Sequence, residues 1–144
     1  MRERVIDWVC AHKLIVVAFI LLALILIWLW PVSVYSGNAA DIEKIHLFDG
    51  NTGKSVSITN REEIDKIVTS LQKVPLRRSF DLRVLIPSDG IALEFVISKK
   101  NSNEKSRFQI CSDKDVKKTF LYHAYQNEFP YEYYKSLCQS TQQE

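Results

Sequence analysis

Hydrophobic and polar positions change rhythm several times along the chain. From Leu14 to Trp30 the sequence reads LIVVAFILLALILIWLW, with no polar residue. A soluble helix needs a polar face, and this stretch has none. At 1.5 Å per residue it reaches about 26 Å, near the thickness of a bilayer core. Val32, Val34 and Tyr35 extend the apolar surface past Pro31. Trp8, Trp28, Trp30 and Tyr35 flank the run as interfacial aromatics do. The pattern predicts a transmembrane helix over 14–32, preceded by a short segment 1–13.

Past a small, polar linker over 33–40, the rhythm becomes alternating. Ile42–Phe48 reads as a strand with Ile45 and Leu47 on one face, and Ser55–Ile58 as its partner. Between them Asp49-Gly50-Asn51-Thr52-Gly53 carries the residues of a tight hairpin. It resembles a calcium loop only in its first positions, since Lys54 and Asn60 stand where glycine and a bidentate glutamate are needed. Thr59-Asn60-Arg61-Glu62 then reads as a capping box, and Asn60 with Glu63 as the same device one residue later. Ile64, Ile67, Val68, Leu71 and Val74 recur at helical spacing until Pro75.

Alternation resumes at Phe80, Leu82, Val84 and Ile86, turns at Pro87–Gly90, and returns through Ile91, Leu93, Phe95 and Ile97. Phe108 and Ile110 continue the meander after the polar loop Lys99–Ser106, and Ser112–Thr119 reads as a second polar connection. Phe120–Tyr125 is the expected last strand, with its inward face undecided. Asn127–Pro130 introduces a closing helix with Tyr134, Leu137 and Cys138 inward. The expected class is α+β: a two-layer domain over 41–140, with the order β-β-α-β-β-β-β-α. Its antiparallel sheet has five or six strands packed on one amphipathic helix. A frayed tail, 141–144, follows.

The stretches Thr52–Thr59, Arg61–Val68 and Tyr131–Leu137 resemble small membrane-anchored or secreted extracytoplasmic domains of Gram-positive bacteria. Those have a hairpin, a helix opening after T-x-x-E, a meander and a closing Tyr/Leu helix. The resemblance implies that fold and an envelope location; it carries over no catalytic residue.

Topology follows from charge. Arg2, Arg4 and Lys13 precede the apolar run, and no Lys or Arg follows it until Lys44. The positive-inside rule places the N-terminus in the cytoplasm and the domain outside the cell membrane. A rival reading is a cleaved signal peptide, with Gly37 and Ala39 preparing a cut before Ala40. Cys10 precedes the apolar run and so is no lipobox cysteine.

Chemistry is sparse. Nineteen basic residues against seventeen acidic give a net charge of +2, which argues against a nucleic-acid partner. Four glycines supply no phosphate-cradling loop, and no cofactor motif is present. His12, His46 and His123 assemble no zinc set, so neither a metal nor a cofactor is expected. Cys111 and Cys138 have three readings: a disulfide, two reduced structural thiols, or a nucleophile paired with His123. A bridge would close about 28 residues and contribute about 3–4 kcal/mol on the chain-entropy estimate. Two surfaces are candidates for binding. Lys73, Arg77, Arg78 and Arg83 form a basic patch suited to anionic headgroups or wall polymer. Tyr122, Tyr125, Tyr131 and Tyr133 offer area and hydrogen bonds to a protein partner.

The sequence therefore points to a single-pass membrane protein. It meets the bilayer through 14–32 and carries a non-catalytic, extracytoplasmic binding module for an envelope partner. A small Cys/His enzyme and a structural subunit of a membrane complex are the alternatives.

Overall fold

The computed structural model describes residues 13–79 and 93–140. The expected strand 80–86, the turn 87–90, Arg83 and the flanking Arg2, Arg4, Trp8, Cys10 and His12 lie outside these. The chain divides into two units that meet between Trp30 and Pro31.

The first unit contains α1, Lys13–Leu29, 17 residues long. Its large apolar side chains are exposed around the circumference, Phe19 being 68% and Ile27 62% exposed, and Trp30 just after the helix is 71% exposed. Among the described residues no helix is long and apolar enough to cross a membrane.

The second unit begins where a linker was expected, and this corrects the expected boundaries. The helix ends at Leu29 rather than 32. Val32 exchanges two backbone hydrogen bonds with Leu76, at 2.9 and 2.8 Å, and so joins the sheet. Val34 and Tyr35 are buried in the core instead of facing lipid. Gly37 O accepts from Gln72 Nε2 at 2.9 Å, and Asp41 O from Lys100 N at 2.7 Å. Gly37 has a steric reason to be glycine: a Cβ there would stand 2.6 Å from Tyr35 Cζ. The residues 33–40 alternate too little to read as structure, yet two apolar side chains and these carbonyls tie them down.

After a 3-10 turn at Ala39–Asp41 come β1 (Ile42–Asp49) and β2 (Lys54–Ile58), then α2 (Arg61–Gln72) and β3 (Leu76–Arg78). Next are β4 (Leu93–Lys99), β5 (Lys105–Ile110), β6 (Asp115–Lys117), β7 (Leu121–Ala124) and α3 (Tyr131–Ser140). The fold is α+β with a seven-stranded antiparallel sheet, ordered β2-β1-β4-β5-β6-β7-β3. The five or six strands expected become seven because β3 and β6 are three residues long, too short to alternate visibly. Within the expected loop Ser112–Thr119, the lone apolar Val116 is fully buried and marks β6.

Register explains the core. Ile45 pairs with Ile58 and Ile97, Leu47 with Val56 and Phe95, and Phe95 with Phe108. These residues share the inner face, which both α2 and α3 cover, through Ile64, Ile67, Val68 and Leu71 and through Tyr134 and Cys138. Two helices thus cover the sheet where one was expected. His46 lies on the outer face, its Nδ1 3.2 Å from Ser57 Oγ. The cap of α2 is Asn60 and not Thr59: Asn60 Oδ1 accepts from Glu62 N at 2.9 Å and Glu63 N at 3.3 Å. Asp49 ends β1 fully buried, its carboxylate accepting from Asn51 N at 3.0 Å and Thr52 Oγ1 at 2.8 Å. That closes the hairpin, with Gly53 at φ 70°.

Phe95→Ala should lower the unfolding free energy by about 3–5 kcal/mol in urea titration. Asn60→Ala should cost only about 1 kcal/mol. Stability should also fall with alkali. Burial raises the Cys138 thiol from 9.0 to about 11, so the folded chain keeps a proton that the unfolded chain loses. Burial likewise raises Tyr134 from 10.0 to about 12. Unfolding followed from pH 9 to 11 should show declining stability, and Cys138→Ala should flatten that decline.

Candidate functional site

The second unit carries an open cleft of about 590 Å³. The β5–β6 turn supplies Cys111, Ser112 and Asp113 to one wall, and the entry to α3 supplies Phe129 to Tyr133 to the other.

Local chemistry holds both walls. Ser112 Oγ accepts from Asp115 N at 3.0 Å and Lys114 N at 3.2 Å, and donates to Asp115 Oδ2 at 2.9 Å. Small hydroxyl side chains close turns in this way because they replace a backbone acceptor. Cys111 N donates to Asp115 O at 2.8 Å. The second wall is bound to the first by Phe129 N donating to Asp113 O at 2.7 Å. A Lys114–Glu128 ion pair at 2.9 Å lies between the same segments. That pairing, through a charged hydrogen bond, raises the Lys114 pKa.

The lining is aromatic, with Asp113 and Glu132 as its only ionisable carboxylates. Both phenols remain protonated donors at neutral pH. Burial first, then Asp49, Cys111 and Glu132, push Tyr131 up. Burial and a hydrogen bond donated to the Glu63 carboxylate push Tyr133 well above the usual range. Such a cleft suits apolar or cationic groups over anions, since carboxylates and the negative ring faces repel negative charge.

The thiols do not form a bridge; both are free, which corrects the disulfide reading. Cys111 is exposed at the turn, whereas Cys138 is buried in α3 with its Sγ 3.9 Å from Leu47 O. Desolvation, and then the Asp115 carboxylate, raise the Cys111 pKa. A thiol held above its ordinary value is a poor nucleophile at neutral pH.

His123 Nδ1 lies 2.9 Å from Asp115 Oδ1, opposite the Ser112 hydroxyl on the same carboxylate. This brings Ser, Asp and His together in the wrong order for catalysis. A hydrolytic triad needs the imidazole between hydroxyl and carboxylate, to take the hydroxyl proton. Here the carboxylate stands in the middle and accepts from both sides. Among the described residues, no group of three His, Cys, Asp or Glu side chains could hold a metal ion.

The predicted surfaces divide. Tyr131 and Tyr133 line the cleft, but Tyr122 lines a separate cavity of about 210 Å³ with Val32, Val34, Leu76 and Lys118. Tyr125 lies under the Arg77 guanidinium, 4.2 Å from its ring centre. The basic patch also splits: Arg77 and Arg78 lie on β3, while Lys73 caps α2, its carbonyl accepting from Asn127 Nδ2 at 2.8 Å. Of the cleft wall Cys111–Asp113, sequence reasoning singles out Cys111 alone and leaves Ser112 and Asp113 in a polar connection. The one signal of that connection was the S-x-x-D spacing of Ser112 and Asp115, which marks a side-chain-closed turn. No protein family, curated protein or solved structure matches this chain.

Alkylation of the native chain at neutral pH, mapped by mass spectrometry, should modify Cys111 slowly and leave Cys138 untouched until denaturant is added. Fast labelling of both would contradict the burial of Cys138.

Proposed function

We propose that this protein is a single-pass, membrane-anchored module whose extracytoplasmic domain binds a partner at the aromatic cleft and performs no catalysis. The observation that carries the reading is the surface of α1, apolar and exposed on every side. Exposing that area to water is costly, at about 25 cal/mol per Å². The apolar run 14–30 reaches about 26 Å as a helix, near a bilayer span, and Trp28 and Trp30 fall at one end, as interfacial anchors do. The basic residues before the helix favour a cytoplasmic N-terminus.

The cleft supports binding over catalysis. Its thiol is held protonated, and its neighbouring histidine is committed to Asp115. Phe129, Tyr131 and Tyr133 offer apolar area, and Tyr131 a phenol donor, beside Asp113 and Glu132; the Tyr133 hydroxyl is already donated to Glu63. The partner that fits is an envelope protein presenting an apolar segment with a lysine or arginine.

In intact cells an impermeant maleimide should label Cys111 on the full-length band without reductant, and Cys111→Ser should remove the label. The chain should also resist alkaline carbonate extraction. Release by carbonate, or labelling of Cys111 only after lysis, would overturn the anchored, outward-facing reading. Turnover by the purified full chain that is abolished in both Cys111→Ala and His123→Ala would overturn the non-catalytic one.

A further inference from the structure

We propose that the tip of the β6–β7 hairpin is a second membrane contact, resting on anionic lipid headgroups with the Phe120 ring in the interfacial layer. The inference rests on the membrane-anchored reading above and adds a surface of the folded domain to it.

The first observation is the shortness of the tether. Only Pro31 separates Trp30 from Val32, and Val32 is held in the sheet by two hydrogen bonds to Leu76. Two residues of extended chain reach about 7 Å. Whatever the angle between the two units, a bilayer surface at the end of α1 passes close to Val32.

The second observation is what lies beside that entry point. Lys118 Nζ donates to Val34 O at 3.3 Å, which fixes the hairpin tip against the incoming chain. Lys118 N donates to Phe120 O at 3.0 Å and tightens the tip. Phe120 is 51% exposed there, with the Arg78 guanidinium 6.0 Å from its ring centre. The run Lys117-Lys118-Thr119-Phe120-Leu121 contains no acidic residue. A single exposed phenylalanine is ordinary. An exposed ring beside the Arg78 guanidinium, in a run with two lysines and next to the point where the chain leaves for the bilayer, has the composition of an interfacial contact. Each cation held near an anionic surface contributes about 1 kcal/mol.

The test uses the full chain in vesicles of phosphatidylcholine with phosphatidylglycerol. A photo-crosslinking p-benzoylphenylalanine replaces Phe120 or, as a control in the cleft, Tyr131. Lipid adducts should form at position 120 in several-fold excess over position 131. Lys117→Ser should lower that yield by up to about fivefold, the equivalent of one surface cation. Vesicles of phosphatidylcholine alone should lower it as well. Absence of an adduct at 120, equal yields at both positions, or indifference to lipid charge would overturn the contact, provided the chain still resists carbonate. Release by carbonate would instead remove the anchored reading, and this inference with it.

Discussion

Tyr134 joins the three parts of the folded unit. Its ring meets Phe95 edge-on at 5.1 Å, and Phe95 stacks on Phe108, also at 5.1 Å. Its hydroxyl is 2.6 Å from Ser70 Oγ on α2. One side chain therefore holds α3 to the central strands and to the neighbouring helix. Aromatic pairs of this kind contribute about 0.5–1.5 kcal/mol each beyond the area they bury. A domain of this size needs such contacts, because a small core leaves little surplus over chain entropy. The inner face of β1, β4 and β5 is wide, and α2 alone leaves part of it to water. The closing helix supplies the missing cover.

That dependence has a consequence for the cleft. The segment that leads into α3 is also the second wall of the site. Phe129 is buried while its amide is bound to the β5–β6 turn, so packing of α3 and the shape of the cleft are set together. Asp115 is the matching point on the other wall. It accepts from Ser112 on one oxygen and meets His123 on the other, across the β6–β7 pairing. The polar groups that could have formed a reactive centre are used to hold a turn.

Legibility followed element length and local chemistry. The β1–β2 hairpin and α2 were readable because each carries its own signals: alternation, a glycine turn, a cap and a helical stripe. Asn60 and Thr59 both suit a helix start, and the choice of Asn60 came from where the chain leaves β2 after Ile58. β3 and β6 were not readable. Three residues cannot show a period, and Leu76 and Val116 become strand residues only when neighbours pair with them. Tyrosines crowd the C-terminal part of the sequence, at Tyr122, Tyr125, Tyr131, Tyr133 and Tyr134. Their division among the cleft, a second cavity, a cation contact and the core depends on register, which the sequence does not display.

By itself, the sequence determined the apolar character of residues 14–30, the α+β class and the core stripe of α2. Each of these depends on the periodicity or composition of one contiguous segment. Tertiary structure alone decided the seven-stranded order and the capture of Val32, Val34 and Tyr35 by the domain. It also decided the separation of Cys111 from Cys138 and the meeting of residues 111–113 with 129–133. The physical reason is the same in every case. These features are backbone pairings and burials between segments far apart in the chain, and no local pattern encodes which distant carbonyl an amide will meet.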